Sequence, residues 1–293
     1  MVQEEKPNSP GELVRGNALP SLPEAYFELR KVIDSDTADL GHISQILKHE
    51  PVLSAQVLRL ANSAYFSGSR SVDSVDDAIQ IVGTDVLVTL ALTIYIIDAF
   101  KGIDPGLMNM KKFWMQSIRM GIAAGRIARF CLTTFQYSDY IFIAGMLSRI
   151  GKLVLYIQCP DIMQAIFIKA EREGVPKFEI EKDILGYTHA DVGHELLKYW
   201  GLPPTIYEPV AHYIYPENVP DDYKLTAYII HTAYCLQFDW FHQGKAYKID
   251  MPSRFYVPAF KYLEVDNMDM MMYTKVIDEE FVHMCKDFNL DSD

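Results

Sequence analysis

The stretch from Ile141 to Tyr156, IFIAGMLSRIGKLVLY, is almost entirely apolar. A helix that is hydrophobic on every side is stable only when other segments of the protein surround it. Ser148 and Arg149 place two adjacent polar side chains in the middle of this apolar run. The stretch therefore predicts one helix at the centre of the fold.

The segments on both sides of this stretch also carry helical signals. Residues 21–24 (Ser-Leu-Pro-Glu) and residues 188–191 (Thr-His-Ala-Asp) each place a capping hydroxyl three residues before a carboxylate, which is typical of a helix start. The alternation of strands and helices that a parallel sheet needs is absent. Only residues 246–249 and 254–257 could pair as short β segments. The sequence therefore predicts an all-α fold.

The boundaries of the helical segments predict four parts of the chain. Residues 1–18 contain prolines and glycines with few apolar side chains, which favours a flexible tail. The segment Lys101–Asn109 contains Gly102, Pro105 and Gly106 and is the best candidate boundary between two helical halves. We therefore predict an N-terminal half over 19–104, a second half over 110–240, and a C-terminal extension over 241–293 that ends in a helix.

Composition and charge restrict the class of protein. The 293 residues include 27 Lys plus Arg and 39 Asp plus Glu, so the net charge is −12. This balance disfavours nucleic-acid binding, which needs a basic surface. The acidic N-terminus is no signal peptide, and the apolar run Val86–Ile97 is too short for a membrane span, which needs about 20 residues. Four scattered cysteines without a CxxC pair indicate a reducing compartment, and we predict a soluble cytoplasmic protein.

Three groups of motifs together resemble one family. The first runs from Glu50 to Phe66 and includes Asn62 and Ser63. The other motif residues are distributed along the second half of the chain: Trp114 and Gln116, Ala144–Leu155 with Gly151, Glu181, His189–Gly193, Trp200 and His212. Their order and spacing resemble the HDOD family, the HD-related output domains of bacterial signalling proteins. This resemblance implies two packed helical halves, the second similar to an HD phosphohydrolase.

The resemblance also implies where a catalytic metal would lie. In the HD superfamily an upstream His, an adjacent His-Asp pair and a later Asp hold divalent metal, which activates a bound water. In this chain those positions are Gln116, Ser148, Arg149 and Tyr234. Arg149 matters most, because a guanidinium stays protonated and would repel the cation. We therefore predict no metal site, no cofactor and no catalytic residue.

Two histidines at additional positions of the family pattern remain. Together with the four replaced ligands they define a vestigial pocket: Gln116, Ser148, Arg149, His189, His212 and Tyr234. His189 is expected to cap a helix or to form local hydrogen bonds, and His212 to be a buried or half-buried histidine with satisfied ring nitrogens. For Arg149 the alternatives are a surface or ion-paired residue and a group that binds an anion.

The sequence supports a leading function and two alternatives. The leading prediction is a non-catalytic module of bacterial signal transduction that acts by binding a partner protein. The first alternative is a sensor that binds a small, nucleotide-type anion in the vestigial pocket. The second is a residual metal-dependent phosphohydrolase that uses His189 and His212 with Asp191, His194 or Asp139.

Overall fold

The computed structural model describes residues 7–16, 19–33, 40–63, 65–66, 72–100, 108–131, 137–237, 256–265 and 267–287. These residues form helices and connecting turns, and no strand occurs among them. The prediction of an all-α fold is therefore confirmed. The candidate β segment 246–249 lies outside the described residues, and Val257 of the other candidate segment begins a helix.

The α-helices in chain order are α1 Pro10–Val14, α2 Glu24–Ile33, α3 Leu40–His49, α4 Pro51–Ala61, α5 Val75–Val82, α6 Thr84–Ala99, α7 Met110–Phe130, α8 Ser138–Leu147, α9 Gly151–Gln158, α10 Pro160–Glu173, α11 Lys177–Leu185, α12 His189–Tyr199, α13 Pro204–His212, α14 Lys224–Leu236, α15 Val257–Leu263 and α16 Asn267–Asp287. Two short 3₁₀ turns, Pro216–Asn218 and Asp221–Tyr223, connect α13 to α14.

Several helix ends follow the sequence signals. Thr188 and Asp191 form the expected capping box at the start of α12. Ser74 accepts a hydrogen bond from the backbone of Asp77 at the start of α5, and Gly83 ends that helix. Gly83 has a φ of 84°, a conformation that glycine adopts without steric cost, and α6 begins directly after it.

The apolar stretch 141–156 is divided between two helices, so the prediction of one helix there is wrong. Helix α8 ends at Leu147 and α9 begins at Gly151. Between them the backbone N–H groups of Ser148 and Ile150 donate to the carbonyls three residues earlier, and the Ser148 hydroxyl donates to Gly145 at 2.7 Å. These tighter bonds interrupt the α-helical ladder and place Arg149 in a turn.

Residues 7–16 differ from the expected flexible tail. They contain α1, which begins at a capping bond from the backbone N–H of Glu12 to Ser9 and packs against α12 and α9. Leu13 and Val14 are buried. The side-chain amide of Gln158 donates to the carbonyl of Leu13 at 3.1 Å. Two apolar side chains and two tertiary hydrogen bonds, the second from the Tyr187 hydroxyl to the carbonyl of Pro7 at 3.2 Å, thus order a segment whose composition indicated a tail.

The chain divides into two compact units. The larger comprises residues 1–19 and 103–275, and the smaller comprises residues 20–102 and 276–293. The division along the sequence near residue 102 falls in the Lys101–Asn109 segment, of which residues 101–107 are not among those described. The C-terminal residues 276–293 are grouped with the smaller unit instead of forming part of a separate extension.

Helices α7 and α8 form the main pair of the larger unit. A Cβ atom at Gly145 would lie 2.8 Å from the Cβ of Ala124, and one at Gly121 would lie 2.9 Å from the carbonyl of Phe142. The two glycines therefore allow a close approach of the helix backbones. The rest of this part of the core is formed by helices α9, α12, α13 and α14.

The core of the smaller unit is α6, which is buried on all sides and contacts α2, α4 and α5. Asn62 ends α4 and fixes the chain that returns to α5. Its side-chain oxygen accepts from the backbone N–H of Val72 at 2.8 Å, and its amide donates to the carbonyls of Val72 and Leu58. Ser63, beside it, is buried. Asn62 therefore has the local, backbone-bonding role that its position at a helix end suggests.

One stretch of the described chain, Ser138–Gln158, is apolar and long enough to cross a membrane by length and composition alone. The bent pair Val75–Val82 and Thr84–Ala99, with a bend of 115°, would make a second if counted as one span. Most of the first stretch, 78% of its apolar window, is buried inside the protein. This burial is consistent with the core of a soluble protein.

Candidate functional site

The contact between α9 and α12 determines the position of the site. A Cβ atom on Gly151 would lie 2.0 Å from the carbonyl oxygen of His189 and 2.5 Å from the backbone nitrogen of Gly193. No side chain larger than hydrogen fits between these backbones. The glycine brings the Ser148–Ile150 turn close to the first turn of α12, where His189 lies.

A buried network of hydrogen bonds connects α11, α12 and the end of α13. One carboxylate oxygen of Glu181 lies 2.9 Å from the backbone nitrogen of His189 and 2.6 Å from its ring Nδ1. The other ring nitrogen, Nε2, lies 2.6 Å from the hydroxyl of Tyr213. All three side chains are almost completely buried. Both ring nitrogens of the imidazole are therefore hydrogen-bonded.

The protonation states of Glu181 and His189 follow from their surroundings. Burial lowers the pKa of His189, so the ring is neutral at neutral pH. Burial alone would raise the pKa of Glu181, but His189 and Lys152 outweigh this effect and the pKa is lowered. The ionised carboxylate can only accept, so Nδ1–H donates to Glu181 and Nε2 accepts from the Tyr213 hydroxyl.

Arg149 lies within this buried group. Only 6% of its surface is exposed, so the expectation of a surface residue is wrong. Burial lowers the pKa of its guanidinium, while Tyr213, Tyr234 and Glu181 act in the opposite direction. The rings of Tyr213 and Tyr234 meet edge to face at 5.5 Å. The structure therefore groups Arg149, His189 and Tyr234 of the predicted pocket.

Lys152 adds a second cation to this group. Its side chain is half-buried at the start of α9. Burial and the neighbouring Arg149 lower its pKa well below the usual value, and Glu181 opposes that shift only in part. Arg149, Lys152 and Glu181 all act on the pKa of His189.

The other predicted pocket residues have different surroundings. Gln116 is buried on α7, and Ser148 uses its hydroxyl to bond the α8 backbone. His212 is half-buried, and burial lowers its pKa. Glu208 raises that pKa and His194 lowers it further. His212 therefore belongs to a cluster at the α12–α13 surface, where His194 Nε2 lies 3.6 Å from Glu208.

The motif residues Trp114 and Trp200 have structural positions. Trp114 is buried on α7 and meets Phe113 edge to face at 4.9 Å. Trp200 is buried at the end of α12, where Gly201 has a φ of 76°. Both indoles fill the helical core, as aromatic side chains do when buried.

The residues at the family's metal positions do not fit a divalent cation. A buried guanidinium lies where a carboxylate would bind metal, and the Ser148 hydroxyl is directed to a backbone carbonyl. Within the described parts of the chain, no group of three or more His, Cys, Asp or Glu side chains has an arrangement that could hold a metal ion.

The side chains that a residual hydrolase would use as metal ligands form contacts with other residues. Asp191 completes the α12 capping box, and both ring nitrogens of His189 are hydrogen-bonded. Asp139 forms an ion pair with Arg129 at 3.0 Å, and His194 lies between Glu195 and Glu208. The structure does not bring these residues together into one ligand set.

Sequence reasoning missed two members of the site and the role of a third. Tyr213 was not singled out, although it directly follows the motif residue His212. Lys152 was quoted only as part of the Ala144–Leu155 motif, where its polar side chain in an apolar run was the available signal. Glu181 belongs to the family pattern, but its bond to His189 depends on the turn of residues 186–188 between α11 and α12.

A second buried histidine, His231, ties α14 to its neighbours. Its Nδ1–H donates to the carbonyl of Tyr213 at 2.9 Å, and its Nε2 accepts from the backbone N–H of Tyr256 at 3.1 Å. Burial lowers the pKa of His231 to about 4. A protonated ring would carry a hydrogen on Nε2 as well, so Nε2 could no longer accept from the Tyr256 N–H.

The two buried histidines predict a loss of stability in acid. Because both have pKa values below that of an unfolded histidine, the unfolded chain binds protons first as the pH falls through 6.5 towards 4. Between pH 7 and 5, His231 alone should reduce the free energy of unfolding by about 2 kcal/mol, and His189 acts in the same direction. Urea unfolding at both pH values measures this change.

The variant His231→Gln is the control for this prediction. It should be less stable than the parent chain at pH 7 and should show a smaller change between pH 7 and 5, since one of the titrating groups is gone. Equal stability of the parent chain at pH 7 and 5 would contradict the neutral, buried state of both histidines.

Comparisons with known proteins agree with the helical fold. The family model described as HDOD domain matches residues 19–216, which is more than half of the chain. An HDOD domain protein of unknown function from Geobacter sulfurreducens has the same fold, with a TM-score of 0.71 and 22% identity, over 96% of this chain and 97% of that one. The fold and site thus define a helical protein of the HD type. The chain belongs to the HDOD family.

Two other solved structures are named for different roles. A protein from Shewanella amazonensis SB2B, provisionally named as a phosphohydrolase, is 26% identical, with a TM-score of 0.61 over 89% of this chain and 98% of that one. A protein from Marinobacter aquaeolei VT8, provisionally named as a signal transduction protein, is 20% identical, with a TM-score of 0.69 over 94% of this chain and 60% of that one.

A curated relative is an uncharacterized protein of Treponema pallidum (strain Nichols). It is 24% identical over 207 residues, which cover 70% of this chain. The match spans only 39% of the length of that relative.

Proposed function

We propose that this chain is a non-catalytic regulatory module of bacterial signal transduction, which acts in the cytoplasm by binding a partner protein. The observation that carries the proposal is the burial of Arg149 at the position of a metal-binding carboxylate, beside the neutral His189. A fixed positive charge there opposes the binding of a cation. Hydrolysis by an HD-type site needs that cation to activate water.

The hydrogen-bonded core of the site supports a structural role for its histidine. Both ring nitrogens of His189 are engaged, by Glu181 and Tyr213, so neither is directed at a reacting group. Membership of the HDOD family and the signal-transduction name of one structural neighbour favour a regulatory role. The phosphohydrolase name of another neighbour belongs to that protein and marks the activity that this proposal excludes for this chain.

The proposal predicts no metal-dependent hydrolysis. Purified chain supplied with Mn²⁺ should release no p-nitrophenol from bis(p-nitrophenyl) phosphate above a blank without protein. A partner identified by crosslinking in native cells and then purified should bind the chain saturably, with the same affinity in EDTA as in Mn²⁺. Turnover in the first assay, or binding that requires the metal in the second, would contradict the proposal.

A second candidate function is favoured by the charge of the same site. Arg149 places a buried guanidinium at one position of the vestigial pocket, and a guanidinium can pair with the oxygens of a small anion. In this second candidate function, the module would bind a nucleotide-type ligand, and this binding would change its interaction with the partner protein.

A further inference from the structure

Residues 7–16 form a separate segment of the larger unit, which we call the strap. Its helix, α1, has five residues, and an isolated helix of that length is not stable in water. Two local bonds shape it: the backbone N–H of Glu12 donates to the Ser9 hydroxyl at 3.3 Å, and the backbone N–H of Asn8 donates to the Glu12 carboxylate at 2.8 Å. The order of the strap therefore depends on its packing against α9 and α12.

The strap makes few contacts with these two helices and the turn before α12. Leu13 and Val14 are its two buried side chains. Among the described residues, two side chains donate hydrogen bonds to its backbone: the Gln158 amide to the carbonyl of Leu13 at 3.1 Å, and the Tyr187 hydroxyl to the carbonyl of Pro7 at 3.2 Å. Ordering the strap costs conformational entropy, which these few contacts must offset. We therefore expect the strap to undock more readily than the core helices unfold.

The contacts beneath the strap are those of a peptide-binding groove. Gln158 at the end of α9 and Tyr187 before α12 donate to main-chain carbonyls, which every peptide has. The burial of Leu13 and Val14 adds selectivity for two consecutive aliphatic side chains. Main-chain hydrogen bonds combined with pockets for apolar side chains are a recurring mode of peptide recognition. Gly16 allows a close approach, since a Cβ atom there would lie 2.5 Å from the Gln158 amide nitrogen.

We propose that the surface of α9 and α12 beneath the strap is a docking groove for a partner protein, and that residues 7–16 occupy this groove in cis. The partner would insert a segment with the chemistry of the strap, a single helical turn that ends in two consecutive aliphatic side chains, as α1 ends in Leu13 and Val14. The strap and the partner segment would compete for one groove, so release of the strap would regulate binding.

This inference rests on the proposed function, because it names the surface through which a partner-binding module would act. It also deepens that function, since it assigns the chemistry of the partner segment. The strap has an advantage over any free peptide, because its attachment to the chain gives it an effective concentration on the order of millimolar.

The test measures binding of a fluorescent synthetic peptide with the sequence of residues 7–16 to the full chain by fluorescence anisotropy. The variant Leu13→Asp/Val14→Asp, the released variant, places two carboxylates at buried aliphatic positions and leaves the groove unchanged. The matched control Arg15→Asp adds acidic charge at an exposed position of the strap. We expect saturable binding to the released variant and binding about tenfold or more weaker to the parent chain and the control, in which the strap occupies the groove.

Two further substitutions test the groove itself. Gln158→Leu and Tyr187→Phe, added to the released variant, remove the two donors to the main chain of the peptide. Peptide binding should weaken about fivefold or more, while cooperative unfolding in urea should persist, because both bonds lead only to the strap. A peptide with aspartate at both aliphatic positions should not bind to the released variant.

Hydrogen exchange of the parent chain tests the release of the strap without any substitution. The backbone amides of α1 should exchange about tenfold or more faster than those of α9 and α12, through an opening that is insensitive to low urea concentrations. Exchange of α1 only on global unfolding would overturn the inference. So would a released variant that lacks cooperative unfolding, because residues 7–16 would then belong to the core.

The binding experiment can overturn the inference in three ways. The released variant could fail to bind the peptide, or the parent chain could bind it equally well. A dimeric parent chain that becomes monomeric in the released variant would place the strap on a second copy instead of in cis. None of these outcomes would give the chain metal-dependent hydrolysis, so failure here is distinct from failure of the proposed function.

Discussion

Gly151→Ala should prevent the chain from forming its native core. The added Cβ would lie 2.0 Å from the His189 carbonyl and 2.5 Å from the Gly193 nitrogen, and both are backbone atoms that cannot rotate away. Separating α9 from α12 would move Arg149 and Lys152 away from Glu181 and His189. We expect a loss of about 3 kcal/mol or more in the free energy of unfolding, measured by urea denaturation.

The opposing glycine supplies a matched control. A Cβ on Gly193 would meet its nearest neighbours at 3.4 Å, which is ordinary van der Waals contact. Gly193→Ala should therefore change the unfolding free energy by less than about 1 kcal/mol, and alanine is the better helix former. A stable Gly151→Ala protein, or a similar loss in both variants, would contradict the described contact.

Glu181→Gln should have the second large effect, because it removes a buried carboxylate that accepts two hydrogen bonds from His189 and acts on Lys152. The amide keeps the shape of the side chain but removes the negative charge that favours the charged forms of Arg149 and Lys152. Removing one partner of a buried charged group costs about 3 kcal/mol or more. Thermal and urea unfolding at pH 7 measure this loss.

The double variant Glu181→Gln/Lys152→Met tests the electrostatic cause. Removing the second cation should recover part of the lost stability, so the two substitutions should not be additive. Glu179→Gln on the same helix is the control, since Glu179 is half-buried and accepts one hydrogen bond, from the Tyr215 hydroxyl at 3.3 Å. It should cost about 1 kcal/mol or less. Additive effects of Glu181→Gln and Lys152→Met would contradict a shared charge cluster.

Local signals in the sequence predicted the helices well. The capping box at Thr188–Asp191 and the all-α class depend on neighbouring residues, and the structure confirms them. The break at Ser148–Ile150 was missed because an apolar run does not reveal hydrogen bonds three residues apart. Residues 7–16 were assigned to a tail because their order depends on packing against distant helices.

The site was predicted less completely than the fold. The family pattern identified the positions of Arg149 and His189 but gave no measure of burial, and Arg149 is a buried residue where a surface position was one expectation. The bonds of His189 to Glu181 and Tyr213 join three separate helical segments. Such contacts depend on how helices pack, which local sequence patterns do not encode.

The most direct test of the central claim is the metal content of the purified chain after expression with Mn²⁺, Fe²⁺ and Zn²⁺, measured by mass spectrometry. The reference is a variant with all four ligand positions restored: Gln116→His, Ser148→His, Arg149→Asp and Tyr234→Asp. We predict far less than one metal ion per parent chain and a higher content in the restored variant. Near-stoichiometric metal in the parent chain, lost on His189→Ala/His212→Ala substitution, would contradict the account.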